Sequence, residues 1–134
     1  MQNPNPKSAI EFLEFLDPAI SEQFTKETVP HPDLTNALLQ HLYGNLYQRS
    51  QLSLRERLLV TIGALMFSGD LVPQLALQIR IALRHGISSE ELMEVAFQIS
   101  AFSGFGKAIN AVNVVDSVAD SVDHTTKENA ADTT

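Results

Sequence analysis

The chain has no cysteine. Without a thiol there is no disulfide, no zinc-thiolate centre and no thiol-based peroxide reduction. Basic residues are scarce: 9 Lys and Arg stand against 16 Asp and Glu, for a net charge of −7. That balance argues against nucleic acid, whose phosphates call for a basic patch, and against docking on an anionic membrane. The acidity reads as a solubility feature. Long apolar runs are missing too; each is broken within about ten residues, short of the ~20 that span a bilayer. Met1 to Lys7 carry no apolar signal core, so a cytoplasmic protein is expected. His31, His41, His85 and His124 fall in four separate elements with no i, i+3 or i, i+4 pair, so no metal site is expected. Gly-x-Ser-x-Gly, a phosphate loop and a dinucleotide fingerprint are likewise missing, and no cofactor is expected.

What is present suits one all-α domain. The length of 134 residues fits a single domain, and 44% hydrophobic residues can fill a core. So short a chain leaves much surface exposed, which makes a subunit interface a natural place for further apolar area. Residues 1–7 read as a loose polar arm, residues 8–120 as a helical bundle of six or seven helices, and residues 121–134 as a frayed tail. Helix one is expected from about Ser8 to Leu16. Asp17 then caps a second helix that opens on Pro18 and reaches about Thr28. Pro30 and Pro32 break the chain, and a third helix covers about Asp33 to Tyr47. Ser53-x-x-Glu56 is a capping box opening a helix that Gly69 stops near Ser68. The next runs from about Val72 to His85 and stops at Gly86. A second capping box, Ser88-x-x-Glu91, opens a helix that ends near Gly104, and a last one covers about Phe105 to Val122.

The stretch Leu75, Leu77, Ile79, Ile81, Leu83 alternates as a strand does. A helical projection of the same stretch puts Leu71, Val72, Leu75, Ala76, Ile79, Ala82 and Leu83 on one wide arc, and the Gly86 stop favours helix. This helix has two polar edges: Gln74, Gln78 and His85 on one stripe, Arg80 and Arg84 on another. On a helix apolar enough to be buried on more than one side, such groups face water, a partner or a pocket. On the next helix Glu91, Glu94 and Gln98 share a face; Glu94 is a candidate general acid or base, or a solvated carboxylate near a helix N-terminus. Arg49, in a loop after Tyr43, Gly44 and Tyr47, has the planar fork that grips a carboxylate. Glu56 already has a capping role.

These residues resemble a known family. Leu42-Tyr43-Gly44, continuing through Arg49 to Ser53-Leu54-Arg55-Glu56-Arg57, resembles the segment before the first core helix of carboxymuconolactone decarboxylases. Ala82-Leu83-Arg84-His85-Gly86 followed by Glu90, Glu91, Glu94 and Val95 is similar to the family's helix-turn-helix. Gly104-Phe105-Gly106 with Asn110-Ala111 resembles the turn that follows. The likeness covers about Asp33 to Val115 in one register. It implies the all-helical fold shared with alkyl hydroperoxidase D-like proteins, assembly as a trimer or hexamer, and lyase chemistry on a small carboxylate or lactone. It also implies a small-molecule site at a subunit junction, lined by the second core helix.

The chain departs from that pattern where chemistry would reside. The family's histidine, eight residues before the turn glycine, is matched by Gln78. Its tyrosine near the end of the next helix is matched by Phe102, and its proline after the turn by Gly106. The Cys-x-x-Cys of the peroxidase branch is matched by Leu71 and Gln74. An amide cannot shuttle a proton near neutral pH. The pattern leaves Glu94 and Glu56 as candidate catalytic carboxylates and Gln78, Arg49, Arg84, Gln74 and His85 as candidate ligand contacts. The alternative is a non-catalytic binding or scaffold oligomer that kept the fold and lost the active site.

Overall fold

The computed structural model describes residues 7–26 and 29–133. Helices account for all the regular structure among them: α1 (Ala9–Leu16), α2 (Pro18–Thr25), α3 (Pro32–Leu42), a 3-10 turn (Leu46–Gln48), α4 (Leu54–Ser68), α5 (Val72–Arg84), α6 (Ser89–Ser103) and α7 (Phe105–Asp132). The chain forms two compact units, one ending at Arg57 and one beginning at Leu58.

In the first unit, Ser8 Oγ accepts the Glu11 N–H at 3.2 Å and starts α1. Ala9, Leu13 and Leu16 are its buried face. Asp17 Oδ1 accepts the Ala19 N–H at 3.0 Å, and Pro18 occupies the first turn of α2. The Thr28 end expected for α2 lies outside the described residues, as do residues 1–6 of the expected arm. Lys7 is not loose. Its N–H donates to Gln48 Oε1 at 2.7 Å, and its carbonyl accepts from Gln48 Nε2 at 2.8 Å. Phe12, Phe15, Tyr43 and Tyr47 pack as tilted rings with centroids 5.7 to 6.4 Å apart.

The third helix is shorter than its apolar period implies. It stops at Leu42 because Gly44 folds back, its N–H donating to the Leu39 carbonyl at 3.0 Å. A Cβ on Gly44 would lie 2.6 Å from the Gln40 carbonyl oxygen, so only glycine permits this close return.

In the second unit, α7 packs against both α5 and α6. Leu58, Ile62 and Met66 of α4, Leu75, Ile79, Ile81 and Ala82 of α5, Leu92 and Ala96 of α6, and Ala108, Ala111 and Val115 of α7 are buried. The alternating stretch of α5 is helix, as the wide apolar arc implied. At its end the Ile87 N–H reaches the Ala82 carbonyl at 3.0 Å, and Gly86 takes φ +88°, a Schellman stop with Ile87 buried behind it. Gly104 alone joins α6 to α7, at φ 88° and ψ 159°. Helix α7 then continues through Ser121 to Asp132, where composition alone reads as a frayed tail. The Thr125 and Thr126 hydroxyls bond back to the Ser121 and Val122 carbonyls at 3.0 Å, and local helix formers such as Ala130 and Ala131 carry the backbone on.

Candidate functional site

Helix α5 carries most of the candidate contacts, and its projection separates them. Gln78 is 5% exposed, flanked on its own helix by buried Leu75, Ile79, Ile81 and Ala82. Gln74 shares its stripe but stands exposed in the first turn, and half-buried His85 ends the helix. Arg84 is exposed, and six residues on from Gln78 it sits about 120° around the helix. The two polar edges therefore face different ways: the amide lies in the apolar arc, and the guanidinium points to the surface.

On α6, Ser88 and Glu91 form the reciprocal capping box. Ser88 Oγ accepts the Glu91 N–H at 3.1 Å, and Glu91 Oε1 accepts the Ser88 N–H at 3.2 Å. Glu94 follows, exposed, in the next turn. Arg49 and Glu56 belong to the first unit. Arg49 is exposed, and its carbonyl accepts from Arg57 Nη2 at 3.1 Å. Glu56 Oε1 accepts the Ser53 N–H at 2.9 Å, and Ser53 Oγ accepts the Glu56 N–H at 3.1 Å. The Ser53 backbone N–H, then its hydroxyl, hold the Glu56 carboxyl below the usual glutamate range, with a smaller contribution from Arg57. A carboxyl so held is ionised at neutral pH, the wrong state for a general acid.

None of the candidate residues lines either of two hollows in the second unit. A small one of about 20 Å³ lies among Leu65, Leu71, Leu75 and Val114, with Lys107 at its edge. A larger groove of about 200 Å³ runs between α6 and α7, lined by Ala96, Phe97, Ser100, Phe105, Ile109 and Val112 among others. Sequence reasoning passed over this groove, although three phenylalanines within nine residues, Phe97, Phe102 and Phe105, were a legible signal of apolar surface beyond one core face. Among the described residues no three His, Asp or Glu side chains are grouped to hold a metal ion, and no helix is long and apolar enough to cross a membrane.

Comparison with known proteins decides the family. The profile of the carboxymuconolactone decarboxylase family matches residues 32–117. The chain belongs to the carboxymuconolactone decarboxylase family. A relative from Paracoccus denitrificans, named as an uncharacterized 15.0 kDa protein in the nqo9-nqo10 intergenic region, is 35% identical over 88 residues. That similarity spans 65% of this chain and 66% of the relative, just under two thirds of the latter's length. The carboxymuconolactone decarboxylase match contains every candidate residue from Arg49 to Glu94, Gln78 included.

Proposed function

We propose that this member of the carboxymuconolactone decarboxylase family is a cytoplasmic homo-oligomer that binds a small carboxylate or lactone, with chemistry altered from decarboxylation. The observation that carries the reading is Gln78, an amide held 5% exposed on the apolar arc of α5 at the position the resemblance gives to a histidine. An amide both donates and accepts, so it orients a carbonyl or carboxyl group without moving a proton. In this reading Gln74 and His85 extend the same stripe, and Arg84 is the cation of that helix available to an anionic ligand. Glu94 is the remaining acid or base, since Glu56 is committed to its cap. The outward position of Arg84 suits a site completed by a neighbouring copy.

A second reading, a non-catalytic binding or scaffold oligomer, is favoured by the exposure of Glu94. Ligand-induced thermal shifts with small carboxylates, lactones and β-keto acids separate the two, because a ligand that binds only the folded state raises its stability by mass action. The expected result is an increment for one chemical class, lost in Arg84→Ala and in Gln78→Leu. No increment from any compound in a folded oligomer supports the scaffold. Recovery of carboxymuconolactone decarboxylation in Gln78→His identifies the glutamine as the replacement of a lost base.

A further inference from the structure

We propose that the Lys107 side chain is a movable roof over the hollow between α4, α5 and α7, caught shut by Phe67 and Asp70, and that the lifted roof admits a small apolar group. The hollow lies within the second unit. Its floor and walls are hydrocarbon: Leu65 and Met66 of α4, Leu75 of α5, Ala111 and Val114 of α7, with Met66, Leu75 and Ala111 buried. At about 20 Å³ it is little larger than one water-sized sphere. A water there needs about two to four polar partners. Among the described residues Lys107 and Asn110 bring the only polar side chains of the lining. The space therefore suits an apolar atom or a methyl group better than water. One wall is the first turn of α5, so a guest beneath the roof leans on the helix that carries Gln78.

The roof is built from a glycine and a lysine. Gly69 follows α4 at φ +80° and has no side chain, and the Lys107 stem lies in the room this leaves. A Cβ at Gly69 would stand 3.1 Å from Lys107 Cγ and Cδ and 3.2 Å from its Cε. Such a stem shields apolar surface while its charged head stays in water. The head is held at two points. Lys107 Nζ stands 5.3 Å from the centre of the Phe67 ring, within cation–π range. The Ser68 hydroxyl, donating to Asp70 Oδ1 at 2.6 Å, and then the Asp70 backbone N–H hold the Asp70 carboxyl below the usual aspartate range, and the Lys107 charge lowers it further. Neither Phe67 nor Asp70 lines the hollow, so both act on the lysine from outside. All three side chains are exposed. Exposed side chains change rotamer within nanoseconds, and a flexible four-carbon stem swings clear once its head lets go. An exposed charge pair biases such an equilibrium by at most about five-fold. The catch therefore favours the closed roof without locking it.

The test uses the full chain with xenon as the probe, an uncharged single atom that enters dry apolar cavities. Methyl chemical shifts of Leu65, Leu75 and Val114 are followed against xenon pressure in the wild type, Lys107→Ala, Asp70→Asn and Phe67→Leu, with circular dichroism to confirm unchanged helix. The wild type and Lys107→Ala are repeated at high salt, which screens exposed charges. Apparent affinity scales with the fraction of molecules that are open. The expected result is a several-fold rise in xenon affinity at these methyls in Lys107→Ala, where the roof is gone. A rise of about two- to five-fold is expected in Asp70→Asn and in the wild type at high salt, where only the catch is weakened. Salt should leave Lys107→Ala unchanged. Equal affinity in the wild type and Lys107→Ala overturns the roof. A rise in Lys107→Ala with none in Asp70→Asn, in Phe67→Leu or at high salt makes the lysine a fixed wall and overturns the gate. Should Lys107→Ala unfold, Asp70→Asn and Phe67→Leu decide, since both leave the lining intact.

Discussion

Gln48 and Lys7 exchange two hydrogen bonds, the glutamine amide accepting from the Lys7 N–H at 2.7 Å and donating to its carbonyl at 2.8 Å. The side chain does for Lys7 what a neighbouring strand does for a residue in a sheet. Gln48 Nε2 also donates to the Tyr43 carbonyl at 2.9 Å, so one buried amide ties the chain across 41 residues and closes the turn after α3. Gln48→Leu leaves those backbone groups without their partner. At ~1 kcal/mol net per bond, a loss of about 2–3 kcal/mol is expected in urea unfolding. Amide exchange at Lys7 should accelerate in the same variant; unchanged protection there would count against the tie.

Gly104 sits at φ 88° and ψ 159°, a region open essentially to glycine alone. A Cβ there meets nothing within 4 Å, so its cost is torsional and not steric. Gly104→Ala is expected to destabilise by about 1–3 kcal/mol. Denaturant melts read this directly, and an alanine variant as stable as the wild type would refute the assignment of strain.

Two other glycines should respond in opposite directions. A Cβ on Gly63, inside α4, would sit 3.6 Å from Val95 Cγ1 and 3.7 Å from Ile99 Cγ2, at ordinary packing distance. Gly63→Ala is expected to stabilise by roughly 0.5–1 kcal/mol through helix propensity. Gly44→Ala instead drives a methyl to 2.6 Å from the Gln40 carbonyl oxygen and should destabilise. Thermal midpoints of the pair that move in the same direction would contradict this account.

The Glu56 carboxyl is held below its ordinary value of 4.5 by the Ser53 N–H and hydroxyl. A carboxyl depressed by folding contributes stability that is fully present above its unfolded pKa and is lost as pH falls through the folded one. The stability difference between wild type and Glu56→Gln is therefore expected to shrink on acidification below the ordinary glutamate range. A carbon-13 titration of the Glu56 carboxyl with a midpoint at or above 4.5 would contradict the capping account.

The parts legible in the sequence are those fixed by near neighbours. Both capping boxes formed as written, because Ser53 and Glu56, and Ser88 and Glu91, need only one helical turn to find each other. The end of α3 was not legible. Apolar Leu46 and Tyr47 continue the period, and the stop depends on a fold-back at Gly44 and on Gln48 reaching a residue 41 positions away. The far half of α7 is helix where polar composition reads as tail, and its threonines bond to their own helix. For the candidate site, periodicity puts Gln74, Gln78 and His85 on one stripe. It could not tell that Gln78 would lie in the buried arc while Gln74 stayed in water, since that depends on which neighbouring elements cover each turn.

The joint at Gly104 acts as a protractor with a single setting. Nothing but two torsion angles of one residue stands between the end of α6 and the start of α7. There is no slack to absorb a length change. Adding one residue at this point would rotate α7 by about 100° about its axis, swinging the Phe105 and Ile109 ridge away from Phe97 and dismantling the groove without touching a residue that lines it. Insertions tolerated in an ordinary surface loop are therefore disallowed here, and drift in this part of the chain is confined to substitution.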